Sequence, residues 1–270
     1  MSEHQAAFVG SIPENYDRYL GPCFFEPYAL DIAKRIKDAD PASVLETACG
    51  TGIVTRHLRE TLRGNARLVA TDLNQAMLEY AMAKKGALQG IEWKQADAMN
   101  LPFPNESFEA VVCQFGLMFF PDKAKALKEA SRVLVRGGAL VFNVWDSMEK
   151  NDLARIAHQT VSSFFEDNPP AFFETPYGFH DRNVLRDLVT EAGFRDVSLS
   201  DVSKAGISSS AMDAAKGAVE GTPLLVQLNE RGMSDVSRVV DAVAKAVAQQ
   251  CGDKPAHIGL QAIRCEARRA

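Results

Sequence analysis

The stretch Val44-Leu45-Glu46-Thr47-Ala48-Cys49-Gly50-Thr51-Gly52 decides the fold of this chain. Its apolar start predicts a short buried strand. The two glycines predict a tight turn, because glycine adopts positive φ and lets the backbone lie close to a ligand. The run 53–60 predicts a helix that begins directly after the turn. A strand, a glycine turn and a helix N-terminus together form a nucleotide pocket at the carboxyl edge of a parallel sheet.

Strand and helix patterns alternate on both sides of this turn. Apolar segments predict strands at 43–48, 67–72, 91–95, 109–115 and 139–145, and amphipathic segments predict helices at 53–62, 74–85 and 122–134. This alternation indicates a parallel sheet covered by helices on both faces. Further along, the patterns predict a helix at 149–166, a Pro- and Phe-rich loop at 168–179, a helix at 182–192, a strand at 194–202, mostly helical structure at 205–253 and a final strand at 256–268.

Composition excludes several functional classes. The chain has 270 residues, of which 46% are hydrophobic and 24% charged, which is ordinary for a globular protein with a full core. The net charge of -5 and the lack of a long basic run argue against a nucleic-acid partner. The N-terminus lacks a secretory signal pattern and no apolar run approaches the roughly 20 residues of a membrane helix. We therefore expect a cytoplasmic protein without a membrane partner.

The five cysteines are scattered and include no C-x-x-C pair. Their odd number and wide spacing argue against a disulfide framework and against a zinc site. We expect them to be small buried hydrophobic residues, and we predict no metal centre.

Two nucleotide motifs compete for the glycine turn. A dinucleotide fingerprint needs G-x-G-x-x-G/A, and its third small position is occupied by Thr55 when counted from Gly50, or by Ile53 when counted from Ala48. The pattern acidic-x-small-x-Gly-x-Gly is instead satisfied from Glu46 to Gly52. The chain therefore resembles the class I S-adenosylmethionine-dependent methyltransferases, in the branch of the ubiquinone and menaquinone biosynthesis enzymes.

The resemblance covers roughly residues 40–200 and extends to later motifs in order. They are Asp72 with the segment 74–78, Asp97-Ala98, the segment 114–117 and the turn 132–138. The family has glycine where Ala48 stands, which is a mild departure. The resemblance implies a seven-stranded, mostly parallel Rossmann-like sheet and S-adenosylmethionine as cofactor. The implied cofactor-binding residues are Tyr19, Glu46, Ala48, Gly50, Gly52, Asp72, Leu73, Met77, Asp97, Ala98 and Gln114.

Two acidic residues have a physical reason to contact such a cofactor. A carboxylate at Asp72 could accept two charge-assisted hydrogen bonds from a ribose diol, although it could also cap the helix that follows. Glu46 ends a buried strand, where a lone charge is costly unless a cationic ligand pairs with it. The resemblance implies that Asp97 contacts the adenine, with a plain turn residue as the alternative. Glu46 could likewise be a plain structural acid.

The resemblance also implies a domain plan and an acceptor side. One domain spans 1–270, with a cap at 1–40, the cofactor-binding core at 41–146, and an acceptor-side lid or insertion at 147–181 and 205–253. The cap holds a helix at about 26–37, preceded by an irregular or weakly helical stretch at 16–22. In similar enzymes such a cap folds over the cofactor, which makes Tyr19 and Arg18 candidates for its carboxylate. Packing of the extension alone is the alternative.

Methyl transfer is an in-line displacement, so alignment of the acceptor with the methyl carbon can supply most of the catalysis. A base helps only when the acceptor loses a proton, and the candidates are His180 and His158. The alternative for His180 is a structural place beside the Asp181 helix cap. The alternative for His158 is a partly buried residue that only fills space on its helix. The Phe-rich segments 115–120 and 164–179 favour a small apolar or aromatic acceptor, unless they are core.

The acceptor atom (O, N or C) and a monomer or homodimer state stay open. S-adenosylhomocysteine is the expected product. The rival hypotheses are an adenosyl-binding protein with another group transfer or a regulatory role, and a nicotinamide oxidoreductase, which the failed third glycine disfavours.

Overall fold

The computed structural model describes residues 10–84 and 89–270. The strands are β1 (Ser43–Thr47), β2 (Arg67–Asp72), β3 (Ile91–Gln95), β4 (Phe108–Gln114), β5 (Leu134–Trp145), β6 (Phe194–Ser208) and β7 (Ala256–Arg269). The helices are α1 (Ile12–Asn15), α2 (Glu26–Ala39), α3 (Ile53–Thr61), α4 (Gln75–Ala83), α5 (Lys123–Val133), α6 (Asp152–Ser162), α7 (Glu174–Tyr177), α8 (Arg182–Glu191), α9 (Ala211–Glu220), α10 (Leu224–Glu230) and α11 (Val236–Cys251).

The seven strands form one sheet in the order β3-β2-β1-β4-β5-β7-β6. The pairs β1–β2, β2–β3, β1–β4 and β4–β5 are parallel, and β7 is antiparallel to β5. Because β1 lies between β2 and β4, the chain winds away from it in both directions. Open sheets of this kind bind ligands at the carboxyl ends of the strands where the winding reverses. The seven-stranded, mostly parallel Rossmann-like prediction is confirmed.

The predicted strand bounds hold best where the chain is regular. The segments 67–72 and 91–95 are strands over those residues. β5 begins at Leu134, five residues before the predicted start, since the pairing of β4 with β5 shifts register between Phe108 and Ala110. Gly137, at φ +76°, lies in this irregular part. A bulge of this kind lets a strand continue through a glycine turn, which sequence alone presents as a break.

Helices also differ from the sequence prediction: α6 ends at Ser162 rather than at 166, and the predicted loop 168–179 contains α7. The stretch predicted as irregular or weakly helical is a π-helical segment, Tyr16–Phe25, continuous with α1 and α2. The N–H of Glu26 donates to the carbonyl of Gly21, five residues earlier, and Pro22 lies inside the segment without an N–H of its own. Residues 205–208, predicted as helical, extend β6, and three helices (α9, α10 and α11) follow. Lys85, the predicted end of α4, lies outside the described residues.

The chain forms two compact units. The sheet unit comprises Tyr28–Trp145, Phe179–Val202 and Ala262–Ala270, and its largest fully buried side chains include Tyr28, Phe108 and Phe142. The described part of the helical unit comprises residues 10–27, 146–178 and 203–261. Within it, α6, α9 and α11 pack against one another. Across the residues that the structure describes, we find no helix with both the length and the apolarity needed to span a bilayer.

Four of the five cysteines are buried, as the sequence predicts for small hydrophobic side chains; Cys251 is half-buried. Burial raises the pKa of the Cys113 thiol to about 11. The buried thiols therefore stay protonated at neutral pH and serve as packing residues.

Candidate cofactor site

Three residues of the glycine turn between β1 and α3 lie in the left-handed region of backbone conformation. Ala48 has φ +53°, Gly50 has φ +56° and Gly52, the N-cap of α3, has φ +78°. A Cβ on Gly50 would meet no atom within 4 Å, so glycine is required there by the backbone conformation. A Cβ on Gly52 would lie 3.1 Å from the Trp93 ring, so this glycine also lets α3 begin close to β3.

Ala48 stands in the left-handed region without being glycine, and a neighbouring turn accommodates its methyl group. A Cβ built on Gly116, directly after β4, would overlap the Cβ of Ala48 and would lie 2.9 Å from the Cys113 sulfur. The absent side chain of Gly116 therefore leaves the space that the Ala48 methyl group occupies. This contact explains how the chain tolerates alanine where the family has glycine.

Asp72, the last residue of β2, ties the glycine turn to the start of α4. Its Oδ2 accepts a hydrogen bond from the Gly50 N–H at 2.8 Å, and its Oδ1 accepts one from the Asn74 N–H at 2.8 Å. Burial raises the pKa of this carboxyl, while the two backbone donors oppose that rise. Asn74, rather than Asp72, caps α4, with its side chain accepting from the Ala76 N–H at 3.0 Å.

The residues after Asp72 differ in exposure. Leu73 is 63% exposed although it is a large apolar residue, and the Gln95 side chain donates to its carbonyl at 2.9 Å. Met77 is buried on α4. An exposed leucine beside a carboxylate at a strand end is suited to cover the flat face of a purine, because the contact removes apolar surface from water.

Asp97 and Ala98 follow β3 at the same edge of the sheet. The Asp97 Oδ1 accepts a hydrogen bond from the Met99 N–H at 2.8 Å, so this carboxylate stabilises its own turn. The Ala96 N–H donates to the Asp72 carbonyl at 3.0 Å and holds this loop next to the end of β2. Ala98 borders a small apolar cavity that also contacts Thr47 and Cys113.

Glu46 lies in β1 and is almost fully enclosed, with 1% of its surface exposed. Its Oε2 accepts a hydrogen bond from the Thr55 hydroxyl of α3 at 2.6 Å. Burial raises the pKa of this carboxyl to about 8; the Thr55 hydrogen bond lowers it and the nearby Asp72 raises it further. The glutamate is therefore mostly protonated at neutral pH in the absence of a cationic partner.

Gln114 ends β4 and pairs in register with Asn143 of β5. Phe115, the next residue, has φ +55°, a costly conformation for a bulky side chain. Its ring stacks on Trp145 at 3.8 Å between centroids, and Tyr28 meets both rings edge-on. Phe115 is therefore a buried member of an aromatic cluster at the carboxyl ends of β4 and β5. Of the two roles considered for the Phe-rich segments, this residue has the role of a core residue.

Three further predicted residues are Tyr19 and His158, which belong to the helical unit, and His180, which belongs to the sheet unit. Tyr19 lies in the π-helical segment, with the Arg18 guanidinium 5.3 Å from the centre of its ring. His158 lies on α6, and its Nδ1 is buried without a hydrogen-bond partner among the described residues. His180, in the sheet unit, directly precedes Asp181, which caps α8 by accepting from the Asn183 N–H at 2.8 Å.

The structure thus brings together the predicted cofactor-binding residues of the sheet unit at one edge. The ends of β1, β2, β3 and β4 supply Glu46, the glycine turn, Asp72, the Asp97 loop and Gln114. Sequence analysis missed Thr55 as a residue of this edge, and it placed Gly116 in the motif 114–117 without its contact with Ala48. The only local indication of the Thr55 contact is that this threonine stands nine positions after Glu46. Nothing in the neighbouring sequence indicates that Gly116 packs against Ala48.

This edge fits S-adenosylmethionine on observations of the protein itself. The turn is open above Gly50, Leu73 is exposed beside a carboxylate, and Glu46 is a buried acid whose carboxyl has no cation beside it in the described chain. These three features suit the methionine backbone, the adenosine and the positive charge of the cofactor, respectively.

Comparison with known proteins gives the same assignment. A family model described as a methyltransferase domain matches residues 45–142. The chain is 30% identical over 174 residues to the ubiquinone/menaquinone biosynthesis C-methyltransferase of Proteus mirabilis, covering 59% of this chain and 68% of that protein. The chain is a class I S-adenosylmethionine-dependent methyltransferase of that branch. This methyltransferase is also 29% identical over 221 residues to a demethylmenaquinone methyltransferase of Staphylococcus epidermidis, covering 73% of the chain and 90% of the relative.

Solved structures share the fold of this methyltransferase. A putative methyltransferase from Bacillus halodurans superposes with a TM-score of 0.58 at 22% identity, over 89% of this chain and 98% of that one. The [4+2]-cyclase SpnF superposes with a TM-score of 0.59 at 17% identity, over 96% and 93% of the two chains. At these identities the likeness concerns the fold alone.

Proposed function

We propose that this methyltransferase transfers the methyl group of S-adenosylmethionine to a ring carbon of a small, apolar quinol-type acceptor. The observation that carries the proposal is the similarity to a demethylmenaquinone methyltransferase over 90% of that relative's length. A planar, apolar acceptor also agrees with the Phe-rich segments of the chain, since pockets for such molecules are lined mainly by apolar and aromatic side chains.

When bound, S-adenosylmethionine supplies a methyl group activated by a cationic sulfur. The protein's task is to bind, align and exclude water, because an in-line displacement needs a fixed geometry more than it needs acid or base groups. In our proposal the glycine turn and Glu46 hold the amino-acid part, Asp72 accepts hydrogen bonds from the ribose hydroxyls, and Leu73, Met77 and the Asp97-Ala98 loop hold the adenine. Gln114 lies at the end of β4 on the acceptor side.

The acceptor carbon supplies the electron pair of its new bond to the methyl carbon. The carbon–sulfur bond breaks at the same time, and the electron pair of that bond stays on sulfur. The ring carbon then loses its proton to water or to a base, for which His180 and His158 are the candidates. Tyr19 is proposed to contact the cofactor carboxylate. We also propose that residues 147–181 and 205–253 contribute to acceptor recognition, within one methyltransferase domain that spans 1–270.

The test is an assay with a short-chain demethylmenaquinone, chemically reduced to the quinol. We expect a product that is one methylene unit heavier, formed together with an equal amount of S-adenosylhomocysteine, and no product with the oxidised quinone, because a quinol ring is the more nucleophilic. The Asp72→Ala variant is the negative control. S-adenosylhomocysteine formation with a different acceptor class, and none with the quinol, would contradict the quinol assignment while leaving methyl transfer intact.

A second candidate uses the same cofactor pocket without methyl transfer. The specific observation is that a cyclase shares the fold over 96% of this chain. In this alternative the protein binds the adenosyl cofactor but produces no S-adenosylhomocysteine from any acceptor. Mass spectrometry of the cofactor after incubation with a metabolite extract separates the two candidates, since the proposed methyltransferase consumes it.

A further inference from the structure

We propose that Glu46 exchanges a bound proton for the positive charge of the cofactor, so that binding of S-adenosylmethionine or S-adenosylhomocysteine releases a proton to solvent. In the empty protein the side chain is a neutral carboxylic acid. In the complex it is a carboxylate that faces the ammonium group of the ligand. The proposal rests on the cofactor assignment and does not depend on the identity of the methyl acceptor.

The surroundings of Glu46 provide little that would stabilise a buried negative charge. The side chain is 1% exposed, and the Thr55 hydroxyl donates to Oε2 at 2.6 Å. In the parts of the chain that the structure describes, no other side chain donates to this carboxyl group. One hydroxyl donor is insufficient for a buried carboxylate, which ordinarily needs a cation or several donors.

Among the described residues, none of the charged and titratable groups that face Glu46 supplies a positive charge. β2 contributes Asp72, the glycine turn contributes Cys49, β4 contributes Cys113, and α3 contributes only the Thr55 hydroxyl. Both thiols have raised pKa values and so remain neutral, while Asp72 adds a like charge. Burial, as the largest cause, raises the pKa of Glu46 to about 8. The Thr55 hydrogen bond lowers the pKa of Glu46, but burial and the Asp72 charge outweigh it and favour the protonated form.

A cationic ligand reverses this balance. Both S-adenosylmethionine and S-adenosylhomocysteine carry an α-ammonium group, and an opposite charge within a few ångströms favours the carboxylate. The O–H bond of Glu46 breaks, the proton passes to the buffer, and the ligand's charge takes its place. By linkage, affinity increases with pH as long as the empty protein still holds the proton, and it levels off above the pKa of the empty site.

Calorimetry with S-adenosylhomocysteine tests this directly. Titrations near pH 7 are run in two buffers with different protonation enthalpies, phosphate and Tris, so that the difference in heat counts the protons released. We expect a release approaching one proton per site, and a dissociation constant that falls by up to about tenfold per pH unit between about pH 6 and 8. Glu46→Gln, which keeps the acceptor oxygen for Thr55, should show neither effect.

Two further variants make the result specific. Glu191→Gln changes an exposed acid on α8 in the same way and should behave like the wild type. Thr55→Val removes the one donor to the carboxylate, so the pH dependence of binding should shift to higher pH. If a variant folds poorly, the comparison of the two buffers with the wild type still decides whether binding releases a proton.

Equal heats in the two buffers for the wild type, or proton release that persists in Glu46→Gln, would overturn the proposal. A complete lack of binding heat in folded wild-type protein would overturn the cofactor assignment and this proposal with it. A failed quinol assay alone would leave both intact.

Discussion

At the scale of single residues, the cofactor edge holds two enclosed carboxyl groups that differ in their hydrogen-bond donors. Asp72 accepts two backbone N–H groups, at 2.8 Å each, and these donors favour its charged form. Glu46 has one hydroxyl donor, and burial is the largest cause of the raised pKa of both carboxyl groups. In our proposal the two acids therefore have different roles: Asp72 accepts hydrogen bonds from the ribose, and Glu46 pairs with the cationic group of the cofactor.

The burial of Glu46 predicts how the stability of the empty protein depends on pH. The pKa of its carboxyl rises from 4.5 to about 8 on folding, so its contribution to the free energy of unfolding is fully present below about pH 4.5 and is lost as pH rises through about 8. Each pH unit in that window costs about 1.4 kcal/mol. Glu46→Gln lacks this titration, so its free energy of unfolding should gain on the wild type, by several kcal/mol in total, as pH rises.

Urea unfolding of both proteins without cofactor, at pH 5, 7 and 9, measures this difference. Glu191→Gln, which changes an exposed acid, should follow the wild-type curve. Free energies of unfolding that differ by a constant amount at all three pH values would show that Glu46 does not change protonation in this range.

At the scale of elements, the β1 and β4 turns are fitted to each other. Ala48 and Phe115 both have positive φ, and they follow two strands that are hydrogen-bonded neighbours. The Ala48 methyl group fills the space above Gly116, while the Phe115 ring is held by Trp145. Strain at two adjacent turns is stored where packing over-determines the backbone, and such sites cluster at functional edges.

This contact predicts a non-additive pair of substitutions. Gly116→Ala places a Cβ on that of Ala48, and overpacking of this kind costs about 1–3 kcal/mol. Ala48→Gly removes the left-handed strain of alanine but also the methyl contact, so its net effect should stay within about 1 kcal/mol. The double variant removes the overlap and should recover about 1 kcal/mol or more, although the contact with the Cys113 sulfur persists.

A double-mutant cycle measured by urea unfolding checks the prediction. Additive free energies within about 0.5 kcal/mol would mean that the two turns do not touch in solution. The single variants also report on function, because a displaced β4 turn should weaken S-adenosylhomocysteine binding more in Gly116→Ala than in the double variant.

At the scale of the whole molecule, cofactor binding should raise thermal stability, because the ligand binds the folded chain only. At a concentration about 100 times the dissociation constant, S-adenosylhomocysteine contributes roughly 2.7 kcal/mol, which corresponds to a rise in Tm of about 5 °C or more. NAD should produce no shift, since the glycine turn lacks the third small position of a dinucleotide motif. Differential scanning fluorimetry is the measurement.

Asp72→Asn is the matched control for that shift. The asparagine keeps one carbonyl oxygen as an acceptor but loses the charge and the second acceptor, so it should fold and show a much smaller rise with S-adenosylhomocysteine. A full shift in this variant would remove Asp72 from the cofactor site, and a shift with NAD alone would contradict the methyltransferase assignment.

Much of the fold could be predicted because its determinants are local. The alternation of apolar strands with amphipathic helices predicted the bounds of β2 and β3 correctly. The order of the motifs predicted the edge of the sheet at which the site lies. Prediction was less accurate where distant partners intervene. The early start of β5 depends on its irregular pairing with β4, and the π-helical segment Tyr16–Phe25 packs against the distant helix α9.

The sequence by itself determined the strand–turn–helix at Glu46–Gly52 and the acids at the strand ends, because backbone conformation and periodic burial follow from neighbouring residues. Only the tertiary structure decided that Thr55 is the donor to Glu46, that Gly116 makes room for Ala48, and that Phe115 stacks on Trp145. Those pairings depend on strand register and helix packing. Both bring together side chains whose separation along the chain carries no information about their distance in space.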